Sequence, residues 1–478
     1  MDVVGKIRSG ARWLGAAKLV TQVYSWILTI FVMRILAPHD YALMSMAGVV
    51  MSFVSQFQEL GVRVKLVQMK EYTHDYARSV YGLVLVSNSV IFLFLLITAP
   101  LISLFFRQDA LMAIIMALAL SALISSMGSI PEALLKRDLA FRKLAIIDIL
   151  NTFVSTTMTL VMAWAGHGVW SLVYGSLTGA VVKAIALSRA SDFRGLPSFD
   201  FSGLGDTLKF GGFVVLQRFV WWTNVSLDTL LIGRFYPAPM LGIYGVARQL
   251  ATLPLEKVGS ILNTLSFAGL ARVADQMPTF RHYLLRSVKL VSLFMFPAFC
   301  GIAAISAEFV PAVLGPKWEG LAPVLAILAL SAPGRAMNEV ITGSLNSLGK
   351  PRIQLRCMTV AGLLTATAII VGLQFGLQEI AIGMVVASLT ACLYAIWVVT
   401  KEASLRTLDF VGVLWLPTLA SLTMMFVSPL LRSLLPIEYP SLIGLGATMV
   451  IGAAVYSGVI AIFDRSAFAM ARDAVGKK

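Results

Sequence analysis

Long apolar runs separated by short polar or Pro/Gly-bearing breaks recur along the whole chain. They lie near residues 13 to 36, 41 to 58, 80 to 104, 111 to 130, 145 to 165, 169 to 187, 210 to 234, 241 to 267, 284 to 305, 322 to 347, 354 to 373, 380 to 400, 410 to 430 and 440 to 463. A helix needs about 20 apolar residues to cross about 30 Å of hydrocarbon, so each run is long enough to span a bilayer. The pattern predicts an all-α polytopic membrane protein of about fourteen transmembrane helices.

The breaks test that count, because one missed or invented helix would invert every later loop. With the N-terminus taken as cytoplasmic, 26 Lys and Arg fall in segments on that side. Only five fall on the other: Arg34, Arg107, Arg234, Lys317 and Arg432. This asymmetry is the positive-inside pattern, and it puts both termini in the cytoplasm. It also accounts for the net charge of +14, which in a soluble chain would suggest nucleic acid. With 58% hydrophobic and 13% charged residues and a mean hydropathy of +0.85, no room remains for a soluble domain. Met1 to Arg12 is basic and the first run is too long for a signal-peptide core, so the first span is expected to stay in the mature protein.

A Gly/Pro/Ser-bearing linker at 188–209 divides the spans six and eight. Sliding the chain on itself by 200 residues superposes Val20 on Val220, Thr29 on Thr229, Arg34 on Arg234 and Ala47 on Ala247, and sets Lys18 opposite Arg218. The expected organisation is an N-terminal lobe at 1–187, the linker, a C-terminal lobe at 210–400, and two further helices with a cytoplasmic tail at 401–478.

Charges inside the runs carry the chemistry, since an ionised side chain at mid-bilayer costs about 2.5 to 3.5 kcal/mol on insertion scales. Arg218, Arg248 and Arg335 lie well inside their runs, and Lys18 is about one and a half turns into the first. One reading is a cationic lumen for an anionic group such as phosphate or pyrophosphate, bound by Arg forks. The alternatives are snorkelling for Lys18 and an internal pair between Arg335 and Glu339. Asp228, Glu256 and Glu339 are candidates to carry a coupling Na+ or H+, or are neutralised by neighbours such as Lys257. Pro254 and Pro333 fall inside runs that carry a buried Arg, where each permits a bend. Cys300, Cys357 and Cys392 lack metal-ligand spacing, and the four His fall in or beside loops, so no catalytic residues, metal site or cofactor are expected.

The segments Pro131-Glu-Ala-Leu-Leu-Lys-Arg-Asp-Leu-Ala-Phe141-Arg, Leu227-Asp-Thr-Leu-Leu-Ile-Gly-Arg234, Leu241 to Pro254, Gly315-Pro-Lys-Trp318 and Leu345-Asn-Ser-Leu-Gly-Lys-Pro351 resemble the polysaccharide-transporter (Wzx-type flippase) branch of the MOP exporter superfamily. The resemblance implies two lobes around a central cavity and ion-coupled alternating access in the bacterial inner membrane. Its implied cargo is undecaprenyl-pyrophosphate-linked oligosaccharide for exopolysaccharide or O-antigen synthesis, and a polysaccharide polymerase and export proteins are the expected partners. Lys18, Arg218 and Arg248 are lumen candidates by span position. The rivals are a multidrug or lipid II exporter of the same superfamily, a membrane polysaccharide-processing enzyme, and a scaffold or channel subunit. An excess of buried cations opposes the multidrug exporter, and the lack of a sizeable outer loop with paired carboxylates or His opposes the enzyme. Reporter fusions test the topology: one placed after Lys478 should read as cytoplasmic and one after Lys317 as periplasmic.

Overall fold

The structure, a computed structural model, describes residues 21–58, 73–193, 195–200, 222–223, 225–256, 269–436 and 438–464. Their regular structure is helical. In hydrocarbon a peptide group has no water to bond, so the chain meets its own N–H and C=O groups four residues apart and turns only at helix ends. We label the helices α1 (Thr21–Ile35), α2 (Pro38–Gln58), α3 (His74–Phe106), α4 (Ala110–Met127), α5 (Ser129–Arg137), α6 (Phe141–Trp164), α7 (Trp170–Ala190), α8 (225–235) and α9 (Ala238–Pro254). They continue with α10 (Met277–Phe309), α11 (Leu321–Ser347), α12 (Pro351–Gly372), α13 (Leu377–Ala403), α14 (Thr407–Ser433) and α15 (Leu442–Phe463). Among the described residues ten helices are long and apolar enough to cross a membrane, and the chain is a multi-pass membrane protein. The predicted spans 13–36, 210–234 and 241–267 run into residues outside the described set.

Two departures from the sequence pattern have physical causes. α3 and α10 each run 33 residues, beginning at His74 and Met277 rather than near 80 and 284. Their polar first turns continue the helix beyond the apolar stretch; in α3 the Thr73 hydroxyl accepts the Tyr76 amide and fixes the start. α5 falls mostly in the break between the runs 111 to 130 and 145 to 165. Its nine residues bury Ile130, Ala133 and Leu134 against Val80, Leu83 and Val84 of α3, a stripe too short to register as a span.

The chain divides into two compact units, Met1–Gly242 and Ile243–Lys478, with the cut inside α9. In the first, α4 packs on α3 and α7, and α6 packs on α7. Small residues let α6 and α7 close up: Gly175 faces Thr159, and Gly179 faces Ser155 and Asn151. In the second unit α11 packs on α10 and α13, α12 packs on α13, and α14 lies against α10 and α15. Phe280, Phe299, Met337, Cys392 and Phe410 form the heart of its core.

The parallel contact pattern is matched in the turns. Between α1 and α2, Leu36 N donates to Val32 O (2.9 Å) and Asp40 N to Ala37 O (3.0 Å). Between α8 and α9, exactly the 200-residue counterparts do the same: Tyr236 N to Ile232 O (2.9 Å) and Met240 N to Pro237 O (3.0 Å). The end of α5 closes with Asp138 N on Leu134 O, Leu139 N on Lys136 O and Ala140 N on Leu135 O. The end of α11 closes with Leu348 N on Ser344 O, Gly349 N on Asn346 O and Lys350 N on Leu345 O. Leu139 and Gly349 both take left-handed backbone, at φ 54° and 70°. The 200-residue offset sets α8 and the start of α9 opposite α1 and the start of α2, whereas the division into compact units falls inside α9 and leaves α8 in the first unit.

Gly349 has open space around its Cα, so a side chain there meets strain alone. Gly349→Ala should cost about 1 kcal/mol, read as a lowered unfolding midpoint in detergent. Gly349→Asn, which tolerates the left-handed region, should recover most of that loss.

Candidate functional site

Of the four predicted lumen cations, Lys18 and Arg218 lie outside the described residues. Arg248 is half-buried in α9, on one stripe with Thr252 and Glu256. The Thr252 hydroxyl lies within hydrogen-bond reach of the Arg248 carbonyl (3.0 Å) and of Glu256 Oε1 (3.3 Å), so a cation, a hydroxyl and a carboxylate follow one another up the helix. Pro254 ends the regular α9 ladder, and residues 255–256 continue in a wider π turn. Arg335 is half-buried in α11, and Glu339, one turn on, is exposed. Asp228 of α8 is 3% exposed, and its carboxylate accepts the Thr229 amide (2.6 Å) and hydroxyl (3.2 Å). These bonds offset part of the cost of taking a carboxylate out of water. Asp228 belongs to the first compact unit; Arg248, Glu256, Arg335 and Glu339 belong to the second. Among the described residues no group of three His, Cys, Asp or Glu is placed to hold a metal, and the three cysteines are buried thiols.

The structure adds charged groups that the sequence reading passed over. Arg432, counted above as a loop charge, is buried: Nη2 donates to Glu308 Oε1 (3.0 Å) and to the Glu438 carbonyl (2.9 Å). Both side chains of the pair are 7% exposed, and Glu308 also accepts from the Thr448 hydroxyl (3.3 Å). The cluster ties the ends of α10 and α14 to the start of α15. At the other end of α15, Lys289 pairs with Asp464, and Tyr456 donates to the Leu293 carbonyl (2.8 Å). Between these ties lies an apolar cavity of about 360 Å³, lined among others by Pro297, Gly301, Met424, Thr448, Gly452 and Tyr456. In the first unit Lys183 lies 3.4 Å from Asp148 and 3.8 Å from Glu132. Opposite charges inside neighbouring apolar runs were the available signal for Lys183 and Asp148.

A family model described as "Polysaccharide biosynthesis protein" matches residues 31–323, more than half of the chain. The chain belongs to the polysaccharide biosynthesis protein family. Within it, the chain is 24% identical over 434 residues to the lipopolysaccharide biosynthesis protein WzxC of Escherichia coli (strain K12), covering 90% of this chain and 88% of WzxC. It is 23% identical over 465 residues to the succinoglycan biosynthesis transport protein ExoT of Rhizobium meliloti (strain 1021), covering 95% and 92%. The fold of this family member matches that of the lipid II flippase MurJ in an inward closed conformation, with a TM-score of 0.75 and 16% identity over 94% of this chain and 98% of MurJ. The Wzx-type resemblance read from the motifs therefore agrees with the family shown, and the two relatives are named as biosynthesis and transport proteins.

The Glu308–Arg432 tie makes a stability prediction. Arg432→Met alone strands a buried carboxylate and should destabilise by about 3–5 kcal/mol, whereas Arg432→Met combined with Glu308→Leu should cost clearly less than the single change. Unfolding in detergent, run as a double-mutant cycle, measures both.

Proposed function

We propose that the chain is a flippase that moves undecaprenyl-pyrophosphate-linked oligosaccharide from the cytoplasmic to the periplasmic leaflet of the bacterial inner membrane, supplying exopolysaccharide or O-antigen synthesis. The observation that carries the reading is membership of the polysaccharide biosynthesis protein family, matched over residues 31–323 of a multi-pass helical chain. Repeated halves are the usual means of alternating access, since the two copies can exchange conformations about a fixed site. The names of WzxC and ExoT supply the polysaccharide setting, and that of ExoT supplies transport.

The pyrophosphate is the part of such a cargo that hydrocarbon excludes most strongly. Arg248, half-buried in α9, and Arg335, half-buried in the long apolar helix α11, are suited to receive it, with Lys18 and Arg218 as the further lumen cations. Asp228 is the stronger of the ion-coupling candidates, because it is the one of Asp228, Glu256 and Glu339 that is buried in its helix. A hard oxygen ligand of that kind suits Na+ or H+. Both termini face the cytoplasm, and a polymerase on the periplasmic side takes up the product.

Purified protein in liposomes, given a labelled lipid-pyrophosphate glycan, tests the reading. Wild type should translocate it between leaflets. Arg218→Ala and Arg248→Ala should each slow transfer about tenfold, corresponding to about 1.4 kcal/mol of lost headgroup binding in the transfer step. Asp228→Asn should remove the response to an imposed ion gradient. An inactive wild type sinks the flippase, and unslowed Arg variants sink the lumen assignment alone.

A further inference from the structure

The segment that leaves α7 is held against the first turns of α3. Ser198 donates its amide to the Arg78 carbonyl (2.9 Å), and Arg78 Nε donates back to the Leu196 carbonyl (3.0 Å). Gly82 makes the approach possible, because a Cβ at that position would overlap the Ser198 carbonyl oxygen. A glycine inside a helix is otherwise unfavourable, so the groove is matched to the strand of chain lying in it. Phe193 packs on the cluster shared by α3 and α5, with the His74 ring at 5.4 Å and the Tyr81 ring at 6.2 Å.

Once docked, the strap presents two large apolar side chains outward: Leu196 is 76% exposed and Phe199 is 64% exposed. Cations and acids share this end of the first unit: Arg78 lies 3.5 Å from Asp75 and Lys136 2.6 Å from Glu132, Arg142 and Lys143 are exposed, and so is Asp200 at the end of the strap. Depth follows from length. The 33 residues of α3 span about 50 Å, roughly 20 Å more than the hydrocarbon, and its last charged residue is Arg78. The turns that carry the strap therefore lie at headgroup level. Apolar side chains set among cations at that level match the chemistry of an interfacial anchor on anionic lipid.

We propose that residues 195–200 form such an anchor: Gly82 and Arg78 fix the strap to α3, and Leu196 and Phe199 rest in the anionic headgroup layer of the adjoining leaflet. That leaflet is cytoplasmic by the charge asymmetry of the loops, but the contact itself does not depend on the cargo. The strap joins the end of α7 to the rest of the chain, so a membrane anchor here holds the connection to one face of the first unit.

The three native cysteines are buried, which leaves an introduced cysteine as the reactive site. Full-length Leu196→Cys and Phe199→Cys protein, spin-labelled in nanodiscs of zwitterionic lipid with or without anionic lipid, is compared by power-saturation EPR with Asp75→Cys, whose native side chain is 90% exposed. Labels at 196 and 199 should be several-fold more accessible to oxygen relative to a nickel chelate than the label at 75, and more so with anionic lipid. Adding Gly82→Val, checked for an intact unfolding transition, should return both to the level at 75. Water-like accessibility at 196 and 199 overturns the proposal, whether the patch is solvated or reserved for a protein partner. Shielding that survives Gly82→Val overturns it too, because the docked strap is then not its source.

Discussion

The backbone's need to bond itself inside hydrocarbon governs the rest of this structure. It forces the chain into helices, confines changes of direction to their ends, and leaves the turns as the places where the path of the chain is decided. The internal repeat survives there. Side chains facing lipid can drift among apolar types with little consequence, and the two halves share few identities. The bonds Leu36 to Val32 and Tyr236 to Ile232, and the left-handed residues Leu139 and Gly349, keep the same geometry because each helix must stop and restart at the same point.

The same solvent governs charge. At the helix ends ion pairs tie elements together: Glu308 with Arg432, Lys289 with Asp464, and Lys350 with Glu402 at 2.6 Å, which joins the start of α12 to the end of α13. These are structural groups, and the first of them holds the trailing helix pair α14 and α15 to α10. Within the spans, Arg248 and Arg335 lie half-buried along helices that carry prolines.

Much of the fold was legible in the sequence because hydropathy reports the solvent directly. The apolar runs are a one-dimensional signal, and the described helices follow them. The sequence was less informative where polar residues remain helical, as in the first turns of α3 and α10, and where an amphipathic stripe is too short to span, as in α5. Pairings between distant positions were the least legible. Glu308 and Arg432 are 124 residues apart, and nothing at either position names the other, so Arg432 read as an ordinary loop charge. Gly82 is similar: its purpose appears only when the Ser198 carbonyl is seen against it.

The central claim is that the interior cations select cargo by its negative headgroup, and headgroup charge is the variable that tests it most directly. In liposomes containing the purified protein, leaflet transfer would be measured for the same glycan carried on undecaprenyl pyrophosphate and on an uncharged undecaprenyl glycoside. The account predicts rapid transfer of the pyrophosphate form, little transfer of the neutral form, and inhibition of the first by an unglycosylated lipid pyrophosphate. Equal transfer of the charged and uncharged lipids would contradict it.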